Sequence, residues 1–213
     1  MKNKLIAFDM DGTLINGRLV FTLGDKYNMS NKIRKIMIEN IDSHNKSTKI
    51  AQLWKGINSS EVINAVKSIP LMDGASEIID EFKKRDYIIG IISHSYTLGT
   101  DYIVKKFNMD FSIANVLEVK NGLLTGKLKM PLGWKQINCW CKNSVCKRFH
   151  LERSARSMNI PLKDTVAIGD TRNDLCMIEN AGIGIAFNPK DERIMENKIV
   201  VKGQDLQKII SFI

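Results

Sequence analysis

The 213-residue chain is long enough to bury a full core, and its 44% apolar and 26% charged residues are the proportions of a globular protein, which excludes collagen-like, disordered and disulfide-dense classes. A formal charge of +9, from 32 Lys and Arg against 23 Asp and Glu, raises nucleic-acid binding. The basic residues are scattered, however, dense only at Lys83, Lys84, Arg85 and at Lys105, Lys106, with no interleaved aromatics, so they read as a solvated surface and no nucleic-acid partner is expected. No stretch reaches the roughly 18 uncharged apolar residues of a membrane span, and four cysteines are too few for a disulfide framework, so a cytoplasmic protein without a membrane partner is expected.

Taken in chain order, residues 5–8 are an apolar run that stops at Asp9-Met10-Asp11-Gly12-Thr13, the pattern of a buried parallel strand ending in a polar loop. Residues 15–72 read as helices, with Ser30 and Ser59 as N-caps and no strand. Residues 75–85 form a helix, 87–92 a strand ending at Ser93, and 98–107 a helix. Asn121-Gly122, between residues 116–119 and 123–129, marks a hairpin, because both turn positions favour positive φ. A helix over roughly 145–158 precedes a strand at 165–168 that ends at Gly169-Asp170. A helix at 175–180 and a strand at 183–187 ending at Asn188-Pro189 complete the series. Strand and helix alternate, so the fold class is α/β: a Rossmann-like parallel-sheet core of residues 1–14 and 73–213, with a small helical cap of residues 15–72 inserted after the first polar loop. A cap in that place would close over the crevice, excluding water and choosing the substrate.

Ligands of open α/β sheets gather outside the carboxyl ends of the strands, and Asp9, Ser93 and Asp170 each stand at such an end. Asp9 and Asp11 form a pair suited to phosphoryl transfer. A carboxylate ionised at neutral pH attacks phosphorus without a base to activate it, and a second carboxyl protonates the leaving alkoxide and later takes a proton from water. An Asp-x-Asp pair alone also fits a solvated turn or a calcium loop.

The run Asp9-Met10-Asp11-Gly12-Thr13-Leu14 after an apolar strand resembles the haloacid dehalogenase superfamily of phosphatases, and Ser93, Lys147, Gly169-Asp170 and Asn173-Asp174 follow in that family's order. The resemblance implies an enzyme with Asp9 as nucleophile and Asp11 as acid and base. It implies a Mg2+ ion held by Asp9, the main-chain carbonyl of Asp11 and Asp170, with Asp174 and Thr13 in support. A hard cation prefers such oxygen ligands, and it relieves the repulsion between clustered carboxylates and a phosphate dianion. Ser93, Lys147 and Asn173 would bind the phosphate. Lys147 is preferred to Lys129, Lys135 and Lys142 because the stretch from it to Asp170 resembles the helix-loop-strand unit of phosphoserine phosphatases.

Ile91-Ile92-Ser93, Ala114-Asn115 and Asn121-Gly122-Leu123-Leu124-Thr125-Gly126 are similar to segments of the same subgroup, so the expected substrate is a small phosphorylated metabolite. Two departures concern substrate choice. Arg18 takes the place of the glutamate that holds the substrate amine in that subgroup, and residues 49–53 offer Lys49 or Ile50 where an arginine holds its carboxylate. The cysteine-bearing run 138–147 is similar to the one before the lysine of phosphoethanolamine and phosphocholine phosphatases, while Arg18 suits an anionic group such as a carboxylate or second phosphate. A phosphotransferase with the same residues and a non-catalytic binding protein on this fold are the alternatives. Cys139, Cys141, Cys146 and His150 either form a zinc site or include cysteines packed as small hydrophobes, and His44 and His94 read as locally satisfied polar residues.

Overall fold

The computed structural model describes residues 2–196 and 199–213. β1 (Lys4–Phe8) leads through a tight loop to four helices, α1 (Leu19–Lys26), α2 (Ser30–Ile38), α3 (Ser43–Leu53) and α4 (Ser60–Ser68). The chain then alternates: α5 (Ala75–Lys84), β2 (Tyr87–Tyr96), α6 (Thr97–Phe107), the hairpin β3 (Phe111–Lys120) and β4 (Leu123–Lys129), and α7 (Lys147–Ser157). β5 (Thr165–Gly169), α8 (Leu175–Ile178), β6 (Ile183–Phe187) and β7 (Ile199–Val201) complete it.

The seven strands form one sheet in the order β4-β3-β2-β1-β5-β6-β7, parallel except for the antiparallel edge pair β3–β4. The hairpin turn has φ of 51° at Asn121 and 79° at Gly122, the two positive values its sequence calls for. Side chains of the central strands alternate between two apolar layers. Ile6, Phe8, Ile89, Ile91, Val166 and Ile168 face one cluster with Phe82 of α5, whereas Leu5, Ala7 and Ala167 face another with Leu151 and Ala155 of α7 and Met177 of α8. Both faces are therefore covered, which is why these strands read as continuous apolar runs. β1 lies between β2 and β5: the chain runs outward on one side through β2, β3 and β4 and then crosses back to β5 on the other, so the strand order reverses at β1 and a crevice opens beyond its carboxyl end.

The two ends of residues 15–72 are tied to each other and to the loop after β1. Asn16 N–H donates to Pro70 O (2.8 Å) and Met72 N–H to Leu14 O (2.9 Å). Leu19, Leu23, Trp54 and Val62 belong to the same apolar cluster as Phe8 and Ile91, and Trp54 Nε1–H donates to the buried Tyr96 hydroxyl (2.8 Å). The β3–β4 hairpin supports the segment from the side, through Gly56 N–H to Leu124 O and Ser59 N–H to Gly122 O, each 2.8 Å.

Several sequence expectations need correction. β2 continues past residue 92 to Tyr96, so Ser93 lies inside the strand. The extension keeps its pairing because the register with β3 shifts between Ile92 and Tyr96, where Tyr96 meets Asn115. Ser30 is the first residue of α2, with its hydroxyl bonded to Asp25, and not the N-cap. Ser59 stands at the α4 cap position with a helical backbone and no side-chain bond. The capping acceptor is Asn58 Oδ1, which takes the Ser60 N–H at 2.9 Å. The antiparallel β3–β4 pair is the expected hairpin, while β7, too short for a pattern, extends the far edge of the sheet.

Candidate active site

The first polar loop is folded by the peptide that precedes Asp11. The N–H groups of Thr13, Leu14 and Ile15 converge on Met10 O at 3.3, 3.0 and 3.1 Å, and Gly12 turns with φ of +86°. A Cβ on Gly12 would stand 2.3 Å from Asp170 Oδ2, so a side chain is excluded there both by conformation and by the approach of Asp170. Asp9 follows the last residue of β1, its N–H bound to Ile168 O at 2.9 Å. Asp11 Oδ1 accepts the Leu19 N–H in the first turn of α1 (2.8 Å), which joins the loop to the helical segment.

Lys147 opens α7 and is fully buried between two acids. Its Nζ lies 2.6 Å from Asp9 Oδ1 and also donates to Asp174 Oδ1. Asp174 Oδ2 accepts from the N–H groups of Asp170 (3.2 Å) and Thr171 (2.9 Å) and from the Thr171 hydroxyl (3.1 Å). Gly169 gives this side chain room, since a Cβ there would meet Asp174 Cγ at 2.3 Å. Carboxylate oxygens of Asp9, Asp170 and Asp174 all lie within 4.8 Å of one another.

Asp174 accepts on both oxygens, and Asp170 does not: both of its buried oxygens lack a hydrogen-bond partner among the described residues. Burial, then repulsion from Asp9 and Asp174, pushes the Asp170 carboxyl up to about 8. Burial also raises Asp9, to about 6, against the pull of the Lys147 ammonium. Burial would lower Lys147, but Asp174 and Asp9 outweigh it and hold the ammonium above its ordinary value. For Asp174 the attraction of Lys147 wins over burial and the carboxyl is held low. Burial raises Asp11, opposed by the Leu19 N–H, the Ser95 hydroxyl and Arg18. A buried acid with two bare oxygens beside a second acid is the donor set of a hard divalent cation, and the residues present fit Mg2+.

A cavity of about 370 Å3 opens over these acids. Asp9, Asp11, Ser93, Asp170 and Asn173 line its sheet side, and Arg18 lines it from the start of α1. Three expected site residues do not reach its surface: Lys147, Asp174 and Thr13 are each fully buried, and the Thr13 hydroxyl has no hydrogen-bond partner among the described residues. The helical segment adds Lys46, Ser43 and Ser47 of α3, which no local pattern in the sequence marks. Of the two candidates near residue 50, Ile50 lines the cavity, while Lys49 turns to Glu39 at 2.5 Å.

His94 Nε2 bonds Val145 O (2.9 Å), and burial drives its pKa down to about 4, so it is a neutral strut between β2 and the approach to Lys147. His44 Nδ1 lies 3.0 Å from Lys142 O. The expected set of three cysteines with His150 is not what assembles. The fourth member of the sulfur group is Cys176 of α8, while the His150 ring packs edge-on against Phe149 at 5.0 Å.

The family model described as haloacid dehalogenase-like hydrolase matches residues 6–179, and the chain belongs to that family. It is a phosphoric monoester hydrolase similar to phosphoserine phosphatases. It is 31% identical to the phosphoserine phosphatase of Methanocaldococcus jannaschii over 100% of this chain and 98% of the relative. Among solved structures, a phospho-aspartyl intermediate analogue of phosphoserine phosphatase superposes with a TM-score of 0.86 at 32% identity, covering 100% of both chains. A substrate-bound phosphoserine phosphatase complex does so with a TM-score of 0.86 at 31% identity, covering 100% of this chain and 99% of the other. No helix among the described residues is long and apolar enough to cross a membrane.

Proposed function

We propose that the protein hydrolyses a small phosphomonoester through an aspartyl-phosphate on Asp9. The observation that carries this reading is the pairing of Asp9, gripped by Lys147 at 2.6 Å, with Asp170, whose oxygens have no partner among the described residues. Lys147 keeps the Asp9 carboxylate ionised despite its burial, so one oxygen is ready to attack phosphorus. Asp11, made more basic by burial, gives its proton to the departing alkoxide. It then takes a proton from the water that splits the acyl phosphate and restores Asp9. Ser93 and Asn173 bind the phosphate oxygens from the cavity wall, and Lys147 supplies positive charge from behind. Asp9, Asp170 and the Asp11 carbonyl would hold Mg2+, which when bound neutralises the charge that gathers on the transferred group.

Residues 15–72 serve as the cap. The reading rests on Arg18 and Lys46, which the segment contributes to the cavity, and on the paired crossings at residues 14–16 and 70–72, where the chain enters and leaves it. Arg18 bears on both Asp11 and Asp170 electrostatically. No carboxylate of the helical segment is among the residues lining the cavity, so the part of the substrate beyond the phosphate is anionic, a carboxylate or second phosphate, with phosphoserine the reference compound. The four reduced cysteines support a cytoplasmic setting. The test is a screen of small phosphorylated metabolites with magnesium, alongside Asp9→Asn. The variant should fold and lose turnover of every active substrate and of p-nitrophenyl phosphate, by about 10^4-fold or more. Retained turnover would remove Asp9 from the chemistry.

A further inference from the structure

Between β4 and α7 the chain runs from residue 130 to 146 without a helix or a strand, a length of irregular backbone that ordinarily needs an anchor of its own. Little apolar mass holds it. Its buried cluster is Cys139, Cys146 and Cys176, rimmed by Trp134, Ile137, Cys141 and Phe149. The backbone is bent repeatedly to bring the sulfurs in: φ is positive at Leu132, Gly133, Asn138 and Lys142, and Cys146 N–H and Cys139 N–H close back on Leu132 O and Trp134 O, each at 2.8 Å. The fourth sulfur arrives from elsewhere in the chain, on α8, which packs against α7.

We propose that Cys139, Cys141, Cys146 and Cys176 bind one zinc ion as four thiolates, a structural site separate from the acidic centre. All four Sγ atoms lie within 4.8 Å of one another. Four sulfurs about 2.3 Å from a tetrahedral zinc stand about 3.8 Å apart, so small adjustments close the shell. The four thiols are unpaired in the structure, with no disulfide among them. Backbone N–H groups of Cys141, Asn143 and Phe149 are directed at the sulfurs of Cys139, Cys141 and Cys146, the arrangement that supports negative sulfur. Binding exchanges four thiol protons, released to solvent, for the metal and leaves a net charge of −2. Arg148, which feels Cys139 and Cys146, and Arg172, whose guanidinium lies 6.0 Å from the Trp140 ring centre, are the neighbouring cations. Soft thiolates select zinc over the magnesium that the carboxylates favour.

The position gives the ion a structural task. Cys146 immediately precedes Lys147, and Cys176 follows Asp174 at the start of α8. One ion would therefore staple together the two segments that carry the buried Lys147–Asp174 pair. The same loop meets the helical segment, through His44 and Lys142 O at 3.0 Å and Asp42 and Lys142 at 3.8 Å. A closed tetrathiolate shell has no open position for substrate, which makes the site structural and not catalytic.

The experiment is elemental analysis of the full-length protein purified under reducing conditions and dialysed against EDTA until magnesium is gone. Zinc near one equivalent per chain is expected, released in step with the uptake of four equivalents of an organomercurial, one bonded to each cysteine sulfur. Refolding with Co2+ in place of zinc should give the visible ligand-field bands and the sulfur-to-cobalt charge-transfer band of a tetrahedral thiolate site. Cys141→Ser, at a half-buried position, should retain less than a tenth of the zinc, and His150→Ala should retain all of it. Metal-free protein with four freely reactive thiols, disulfides among these cysteines, iron in place of zinc, or zinc lost in His150→Ala would each overturn the assignment. Metal content is read without substrate, so it stands or falls independently of the proposed phosphatase reaction.

Discussion

Replacing Asp170 by Asn tests the acidic centre without any turnover. In the unfolded chain this carboxyl ionises near 3.8, whereas in the fold burial and the neighbouring acids raise it to about 8. Below pH 4 both states hold the proton and the site costs nothing. As pH rises from about 4 to about 8 the unfolded chain gives up a proton that the native state keeps, so stability falls by about 1.4 kcal/mol per pH unit, and above 8 the loss is complete. At pH 7 the metal-free protein therefore carries a penalty on the order of 4 kcal/mol. Asn removes it but buries an amide no better matched, at a cost of about 1–3 kcal/mol. The net gain, about 2 kcal/mol, corresponds to a rise in Tm of about 4–8 °C for a chain of this size. Thermal melts of both proteins in EDTA, from pH 4.5 to 8.5, should show the advantage of Asp170→Asn growing with pH. Added Mg2+ should stabilise the parent, by about 2.7 kcal/mol at a hundredfold excess over Kd, and leave the variant unmoved. A pH-independent difference, or an equal magnesium shift in both proteins, would refute the reasoning.

The ion pair behind Asp9 gives a second test. Lys147→Met leaves Asp9 and Asp174 buried without their cation and should cost about 3–5 kcal/mol by denaturant unfolding, and adding Asp174→Asn should recover part of that stability while turnover stays lost. If Lys147→Met unfolds like the parent, the ammonium is not what holds these acids. Arg18→Glu should raise KM for carboxylate-bearing or doubly phosphorylated substrates about 10- to 100-fold, the worth of a charge-assisted contact of 1.5–3 kcal/mol, and change p-nitrophenyl phosphate kinetics little. Equal losses on all substrates would take Arg18 out of recognition.

What could be read from the sequence followed physical signal strength. The central strands announce themselves because burial on both faces leaves runs such as Leu5 to Phe8 and Val166 to Ile168 with no polar break. The end of β2 is hidden for the opposite reason: Ser93-His94-Ser95-Tyr96 is polar, and it stays extended through partners far away in the chain, Trp54, Asn115 and Val145. Asp9, Asp11 and Asp170 stand out because each follows an apolar run. Lys46 carries no such marker, since it faces the cavity only through the packing of α2 and α3, where its Nζ bonds Met37 O at 2.8 Å. The sulfur cluster shows the limit of spacing arguments. His150 is one helical turn from Cys146 and looks like its partner, yet the packing of α7 on α8 delivers Cys176 instead.

The central claim is covalent. Rapid quench of the magnesium-loaded enzyme with an active substrate, borohydride reduction of any acyl phosphate, and peptide mass spectrometry should find homoserine at position 9 and nowhere else. Unmodified Asp9 in a turning-over sample, or phosphate retained on Ser93, would contradict the account.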